Sequence, residues 1–515
     1  MNQKTLIAIN TGMSYLRQAV RLVIQLFMVR FIVDKVGKDE FGVYSQVLAI
    51  SGLVMLLDLG VNPAVSRFMA RELALKNDEA CREIWLTALV AYLLPMTLIL
   101  VGLPLAAPQL AEALIGDAAY RNVARALMAV AAVYFALQFP ANAYKGVLLG
   151  EQRHFAVANV EIVVELVRAA ILVLVLSTLT TSVVWVLVIY AGTQIAGNLV
   201  LVGMVHARFA WARFRRSAIR WERFRGVLTL SLTSFLAQAG FTLNLYVHRM
   251  IIGKLLGPAA VTYYYVAAST FRDMIENVVM QFATTTIPAT AKYEATGHHD
   301  ALAALMLRGT KYAVIMAGLI AAPIAAFSRP LLSIWMWKDP SYAAYAPLMV
   351  GVLGLTLLEL TRGTAHAMLT GLARMGLLGS INFVAVVLDG VLAVVLIKTT
   401  SLGLYSILIS IGAAVILRRT VITWHVCKLL NLSKRRLVLS SMAWPLGPAL
   451  VAAGSGWLLQ RWFTPHNWAT LIVSGTACGL LGVLFAAFVT LNGAERRELA
   501  TPLRSAWNRF GPKPQ

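Results

Sequence analysis

Apolar residues run along this chain in stretches too long for the core of a soluble domain. A helix rises 1.5 Å per residue, so about 20 consecutive apolar positions cross the hydrocarbon of a bilayer. Such stretches fall near residues 9–33, 41–63, 84–106, 121–141, 155–177 and 183–205. A second series falls near 228–252, 261–287, 310–332, 346–368, 377–398 and 403–424, and two more lie near 440–460 and 469–491. A transmembrane β-barrel would alternate apolar and polar positions over short segments. Here the runs are continuous, and in lipid a helix satisfies its own backbone. The pattern predicts an all-α, polytopic membrane protein of about fourteen transmembrane helices.

Composition agrees. Of 515 residues, 59% are hydrophobic and 13% charged, where a soluble domain carries about 25% charged residues. The mean hydropathy is +0.73. A formal charge of +22 raises nucleic acid as a partner, but the basic residues lie in loops beside apolar spans, so none is expected. One set of loops holds Arg67, Arg71, Lys76 and Arg82; Lys145 and Arg153; seven arginines from Arg208 to Arg225; Lys292; Arg374; Lys434, Arg435 and Arg436; and a basic tail. The opposite set holds few: Lys35, Lys38, Arg121, Lys254, Lys338 and Arg461. Cytoplasmic loops carry the Lys and Arg excess, which places both termini in the cytoplasm of a bacterial-type inner (plasma) membrane. Cys81, Cys427 and Cys478 have no metal or disulfide spacing. The first span carries Arg17 and Arg21 and no small-residue cleavage site follows, so it does not read as a cleaved signal.

The chain repeats itself. Ser14-Tyr-Leu-Arg-Gln18-Ala19 matches Ser234-Phe-Leu-Ala-Gln238-Ala239, and at the same offset of 220 Gly37 matches Gly257 and Tyr44 matches Tyr264. Leu149-Gly150-Glu-Gln-Arg153 echoes Thr370-Gly371-Leu-Ala-Arg374 at an offset of 221. A duplicated unit of six spans keeps both halves in the same orientation, related by a pseudo-two-fold axis along the membrane normal with the transport site between them. The expected organisation is a six-helix bundle over 1–219, a second over 220–430, and two additional transmembrane helices with a cytoplasmic tail over 431–515.

Ionisable residues inside the spans are the candidates for function, because each is costly in lipid. The first span carries Asn10, Ser14, Arg17, Gln18, Arg21 and Gln25 in steps of three and four, one face of a helix. The seventh carries Ser234, Gln238, Thr242, His248 and Arg249 at similar spacing. Matched polar stripes predict a shared watery cavity; interhelical hydrogen bonding or snorkelling is the structural alternative. The eighth span holds Arg272, Asp273, Glu276, Asn277 and Gln281, with Arg272 and Glu276 spaced to pair on one helix face. Glu161, Glu165 and Arg168 lie on the fifth span, Glu359 and Arg362 on the tenth, Asp389 on the eleventh and Asp58 on the second. Asp273, Glu276, Asp389, Asp58, Glu165 and Glu359 are candidates for proton or Na⁺ coupling, each against the alternative of a structural ion pair. Pro95, Pro140, Pro288, Pro323, Pro347 and Pro445 permit bends, and Gly475-xxx-Gly479 suits helix packing. No GxxxxGK[ST] phosphate loop and no HExxH pair occurs in the sequence; no cofactor and no metal is expected.

Val36-Gly37-Lys-Asp-Glu-Phe41-Gly42-Val-Tyr44, Asp58-Leu-Gly60-Val-Asn62 with the following Arg67, Arg71 and Glu72, and Leu148-Leu-Gly150-Glu-Gln-Arg153 together carry a resemblance. The chain is similar to the polysaccharide-transporter branch, including O-antigen-type flippases, of the multidrug/oligosaccharidyl-lipid/polysaccharide exporter superfamily. That resemblance spans most of the first twelve helices. It implies two six-helix bundles in a V, alternating access, and movement of undecaprenyl-pyrophosphate-linked oligosaccharide from the cytoplasmic to the periplasmic leaflet. Members serve O-antigen lipopolysaccharide and exopolysaccharide synthesis, and association with a glycan polymerase is an expectation. Lipid II flippases are similar. Their usual N-terminal pattern is not evident here, though the two extra helices, which help hold the lipid tail in that subgroup, are shared.

A passage for a pyrophosphate-linked glycan must be polar and preferably cationic. Guanidinium groups suit phosphate through bidentate, charge-assisted bonds. Arg17, Gln18, Arg21 and Gln25, with Gln238, Arg249 and Arg272 across the repeat axis, are the expected substrate contacts. A drug/cation antiporter of the same fold would favour acidic groups instead. A membrane glycan polymerase or ligase would need catalytic residues in a sizeable outer loop, and the outer loops are short. The chain therefore reads as a transporter, not an enzyme.

Overall fold

The computed structural model describes residues 3–58, 61–215, 240, 242–244, 246–372 and 374–497. Among them there is no strand, and the all-α expectation holds. Ten helices among the described residues are long and apolar enough to cross a membrane, making this a multi-pass membrane protein. The remaining four expected spans carry the densest polar load. Those near 9–33 and 155–177 are helices of 34 and 25 residues, long enough but too polar to count among the ten. The span near 228–252, with Ser234 and Gln238, lies largely outside the described residues. The span near 261–287 is built from shorter helical pieces.

Two compact units divide the chain, Met1–Val266 with Met375–Ser410, and Ala267–Arg374 with Ile411–Gln515. In the first unit the helices are α1 (Gln3–Val36), α2 (Lys38–Leu53), α3 (Val61–Ala74), α4 (Asp78–Leu114), α5 (Arg121–Gly150), α6 (His154–Thr178), α7 (Val183–Arg208), α8 (246–255) and α9 (Pro258–Tyr264). Local chemistry sets their ends. The Asn77 side chain accepts from the Ala80 N–H at 3.2 Å and caps α4, whose first turn carries Asp78 and Glu79 against the helix dipole. α4 runs through Pro95, Pro104 and Pro108, as lipid-embedded helices tolerate. It packs along α5, and α1 packs along α6. Leu94, Leu98 and Leu105 remain exposed on α4, as a lipid-facing surface requires.

The second unit contains α10 (Thr270–Thr284), α11 (Thr286–Ala295), α12 (His299–Ala326), α13 (Ser328–Trp335), α14 (Ala346–Leu360) and α15 (Gly363–Gly371). α16 (Met375–Thr399) returns to the first unit and is followed by α17 (Ser406–Leu429); α18 (Lys434–Gln460) and α19 (Trp468–Thr490) complete the second. Pro347 does not bend a span: it sits in the first turn of α14, where its missing N–H costs nothing. α18 and α19 pack on α12 through small residues. Ala322, Ala449 and Ala452 form a buried cluster, and a side chain on Gly482 would meet the Pro448 carbonyl at 2.8 Å. Gly475 faces open space, so the close approach is made at Gly482 rather than by the expected GxxxG pair. Lys311 of α12 binds Glu495, just beyond α19, at 2.7 Å.

The duplication is visible in element boundaries. α4 and α12 start 221 residues apart; α6 and α16 both start and end 221 apart; α5 and α15, and α7 and α17, end 221 apart. Nearer each half's start the offset is 220: Gly37 and Gly257 both adopt φ +88° ahead of α2 and α9, a conformation that favours glycine. One residue is thus gained between Tyr264 and α11. Tyr265–Ser269 is a π segment lying in that interval, and a π-bulge is how a helix absorbs one extra residue. Packing repeats as well. A side chain on Gly150 would strike Met69 at 2.8 Å and the Ser66 carbonyl at 3.0 Å; one on Gly371 would strike Thr290 and the Ile287 carbonyl, both at 2.9 Å. All three residues of the second contact lie 221 beyond those of the first.

Candidate functional site

Along α1 the polar stripe meets two environments. Arg17 donates to Glu161 Oε2 on α6, and Lys145 of α5 donates to Glu161 Oε1 at 2.8 Å, so one carboxylate holds two cations. One turn on, exposed Arg21 makes no ion pair with a described carboxylate. With Gln25 it lines a cavity of about 220 Å³ in the first unit. Gln18 is half-buried outside that wall. Arg17 and Arg21 thus stand in different settings: α6 brings Glu161 to Arg17, which no spacing within α1 reveals. Gln238 lies outside the described residues.

The rest of the cavity lining comes from α2, α6, α7, α8 and the π segment. Arg168 and Glu165 join at 3.0 Å; Arg168 also donates to Thr193 Oγ1 at 3.1 Å and Gln194 Oε1 at 2.9 Å, and lies 3.8 Å over the Tyr190 ring. Arg249 lies 4.8 Å over the ring of Tyr265, and both line the cavity. Stacking on an aromatic face orients a guanidinium. The charged lining consists of three arginines and one glutamate, and that glutamate is already paired.

Asp389 has a partner from another helix. Its carboxylate lies 3.0 Å from His248 Nε2 on α8, and His248 Nδ1 lies 3.3 Å from the Tyr264 hydroxyl, all deeply buried. Asp58 accepts from the Tyr92 hydroxyl at 2.5 Å. In the second unit Arg272 turns to its neighbour Asp273, with contacts of 2.9 and 3.1 Å, instead of to Glu276 as the i,i+4 spacing predicts. The adjacent carboxylate closes a shorter loop on the same guanidinium. Glu276 makes no ion pair among the described residues. Glu359 is clamped by Arg362 and by Arg418, the latter at 3.2 Å. That cluster fits the structural alternative for Glu359.

Sequence reading passed over Tyr190, Tyr265 and Arg418. Aromatic residues at helical spacing look like ordinary core, and Arg418 reaches Glu359 from a span 59 residues on; only a fold-level contact exposes them.

The polysaccharide biosynthesis protein family matches residues 7–294, more than half of the chain. The chain belongs to that family. One relative in it by likeness, the uncharacterized membrane protein EpsK of Bacillus subtilis (strain 168), is 21% identical over 482 residues, covering 92% of this chain and 93% of its own. Two solved structures share the fold of this polysaccharide biosynthesis protein. The lipid II flippase MurJ, in an inward closed conformation, aligns with a TM-score of 0.69 at 11% identity over 93% of this chain and 99% of its own. An inward-facing multidrug resistance MATE family transporter of the MOP superfamily aligns with a TM-score of 0.65 at 15% identity over 80% and 99%. The family resemblance drawn from the sequence holds, and the fold is of the MATE and MurJ type.

Proposed function

We propose that this polysaccharide biosynthesis protein is a flippase. It moves an undecaprenyl-pyrophosphate-linked oligosaccharide from the cytoplasmic to the periplasmic leaflet by alternating access of two six-helix halves, residues 1–219 and 220–430, with 431–515 appended. The observation that supports this reading is the excess of arginine over carboxylate on the cavity wall, with Arg21 facing the space and Arg249 oriented by Tyr265. An anionic pyrophosphate fits that wall; a cationic drug does not. Arg17 and Lys145, sharing one glutamate, extend the positive surface below it.

Transport of a sugar lipid needs a driving force. We assign coupling to Asp389, whose bond to His248 couples a carboxylate to a titratable ring, and to Asp273 and Glu276 in the second unit, with H⁺ or Na⁺ as the coupling ion. Both termini face the cytoplasm in this scheme.

Purified protein in proteoliposomes, given a pyrophosphate-linked oligosaccharide lipid, tests it by a leaflet-specific labelling assay. Arg21→Ala is expected to slow transfer roughly 10- to 100-fold, the worth of one charge-assisted contact, and Arg21→Lys to recover part. Transfer at the wild-type rate in Arg21→Ala removes the substrate assignment. Transfer insensitive to the pH or Na⁺ gradient in the wild type removes the coupling assignment alone.

A further inference from the structure

The turn joining α17 to α18 carries charge that the transport reading leaves unused. Lys428 stands in the last turn of α17; Lys434, Arg435 and Arg436 open α18; all four are exposed. Among the described residues none of them is paired with a carboxylate. A run of exposed cations beside a span is ordinarily a solvated feature of loop asymmetry. This one is built differently. Asn431 adopts φ +50°, the Leu432 N–H donates to the Cys427 carbonyl at 2.9 Å, and the Leu430 N–H to Val426 at 3.0 Å. That is a Schellman closure with asparagine in the left-handed position. Ser433 Oγ then accepts from the Arg436 N–H at 3.5 Å and starts the next helix.

The closure delivers two cations to one ring. Lys428 Nζ lies 5.6 Å and Lys434 Nζ 5.7 Å from the centroid of Trp424. Trp424 is 46% exposed and Trp444, one helical stretch along α18, is 56% exposed. Tryptophan is enriched at headgroup depth in membrane proteins. Two ammonium groups gathered at one indole repel each other, and a weak exposed cation–π contact does not cancel their charge. An anion seated between them would. The setting at the lipid boundary decides which anion: a phosphodiester whose chains remain in the bilayer beside the indole.

We propose that this turn is a binding site for the headgroup phosphate of an anionic phospholipid, held by Lys428 and Lys434 against Trp424, with Arg435 and Arg436 adding attraction. Polybasic segments next to a transmembrane helix gain binding to anionic lipid with each added cation; here the turn brings two of the cations to one ring before the lipid arrives.

The test uses the full chain in nanodiscs of phosphatidylcholine containing phosphatidylglycerol, with retained lipid counted by native mass spectrometry. Wild-type protein is expected to retain phosphatidylglycerol over phosphatidylcholine. Lys428→Gln/Lys434→Gln is expected to lower that retention roughly tenfold or more. Trp424→Leu should lower it too, and Trp424→Phe less. Lys434→Gln alone, at an exposed position, should give an intermediate value and remains readable if the double variant unfolds. Equal retention by wild type and the lysine variants overturns the site. Inorganic phosphate that displaces the lipid at matched concentration overturns the lipid assignment.

Discussion

A guanidinium inside a bilayer needs a carboxylate or water, since either removes most of the cost of burying its charge. Arg17 has the first and Arg21 lines a cavity that supplies room for the second. Their substitution should therefore read out differently. Arg17→Ala leaves Glu161 held only by Lys145, and is expected to lower the stability of the folded protein by about 1 kcal/mol, since the pair is over one-third exposed on the arginine side. Arg21→Ala breaks no described ion pair and should leave the melting temperature in detergent unchanged while transport falls. Thermal unfolding and transfer measured on the same two preparations check this. Equal melting shifts in both would show that Arg21 is as structural as Arg17. Arg21, Gln25 and Arg249 could be picked out from sequence because charge in an apolar span is conspicuous. Glu161 under Arg17, and His248 beside Asp389, could not be matched to their partners, because those contacts join residues 144 and 141 positions apart.

At the scale of elements, the fold was legible where periodicity is strong and obscure where an extra residue enters. Apolar run length located the spans, and the offset of 220 turning to 221 was in the sequence, but its cause is a local hydrogen-bond pattern at Tyr265–Ser269 that no residue type announces. One helical residue is about 100° of rotation. Deleting Ala267 should convert the π segment to regular helix and, because the bulge absorbs the extra residue, keep Arg272 and Asp273 on their present faces, whereas an alanine inserted after Thr270 should turn them away. Helicity by circular dichroism is expected to stay at the wild-type level in both variants while transport is lost in the insertion alone; an insertion variant with normal transport would show that the facing of Arg272 and Asp273 does not matter. The duplicated glycine contacts make a paired prediction. Gly150→Ala and Gly371→Ala each drive a methyl against a helix backbone, and overpacking of that kind costs about 1–3 kcal/mol. Both variants should lose stability by similar amounts in thermal unfolding, whereas Gly475→Ala, facing open space, should lose little.

For the whole molecule, the duplication leaves a contact that behaves like a two-fold interface. Gly42 of α2 lies under the Pro258 carbonyl of α9, so that any side chain there would collide; Thr262 of α9 donates to the Lys38 carbonyl of α2 at 2.5 Å. Positions 38 and 258, and 42 and 262, are repeat equivalents at the offset of 220. Residue i of one half thus meets j of the other and j meets i, the mark of an isologous contact. Lys38 Nζ donates to the Tyr263 hydroxyl at 2.8 Å, and Phe41 packs edge-on against Tyr265 with centroids 5.4 Å apart. In the alternating-access cycle proposed above the halves separate at one membrane face while they meet at the other, so this contact at the helix starts is expected to open once per cycle. Lys38→Cys/Tyr263→Cys, joined by a cleavable bifunctional thiol reagent, should hold it shut. Cys81, Cys427 and Cys478 are buried and free, and replacing them by alanine removes competing thiols. Transfer of the lipid-linked substrate is expected to stop on cross-linking and to return when the linker is cleaved, with each single-cysteine protein unaffected by the reagent. Undiminished transfer with α2 and α9 joined would mean that this contact is a fixed hinge, and that the passage opens without parting the two halves there.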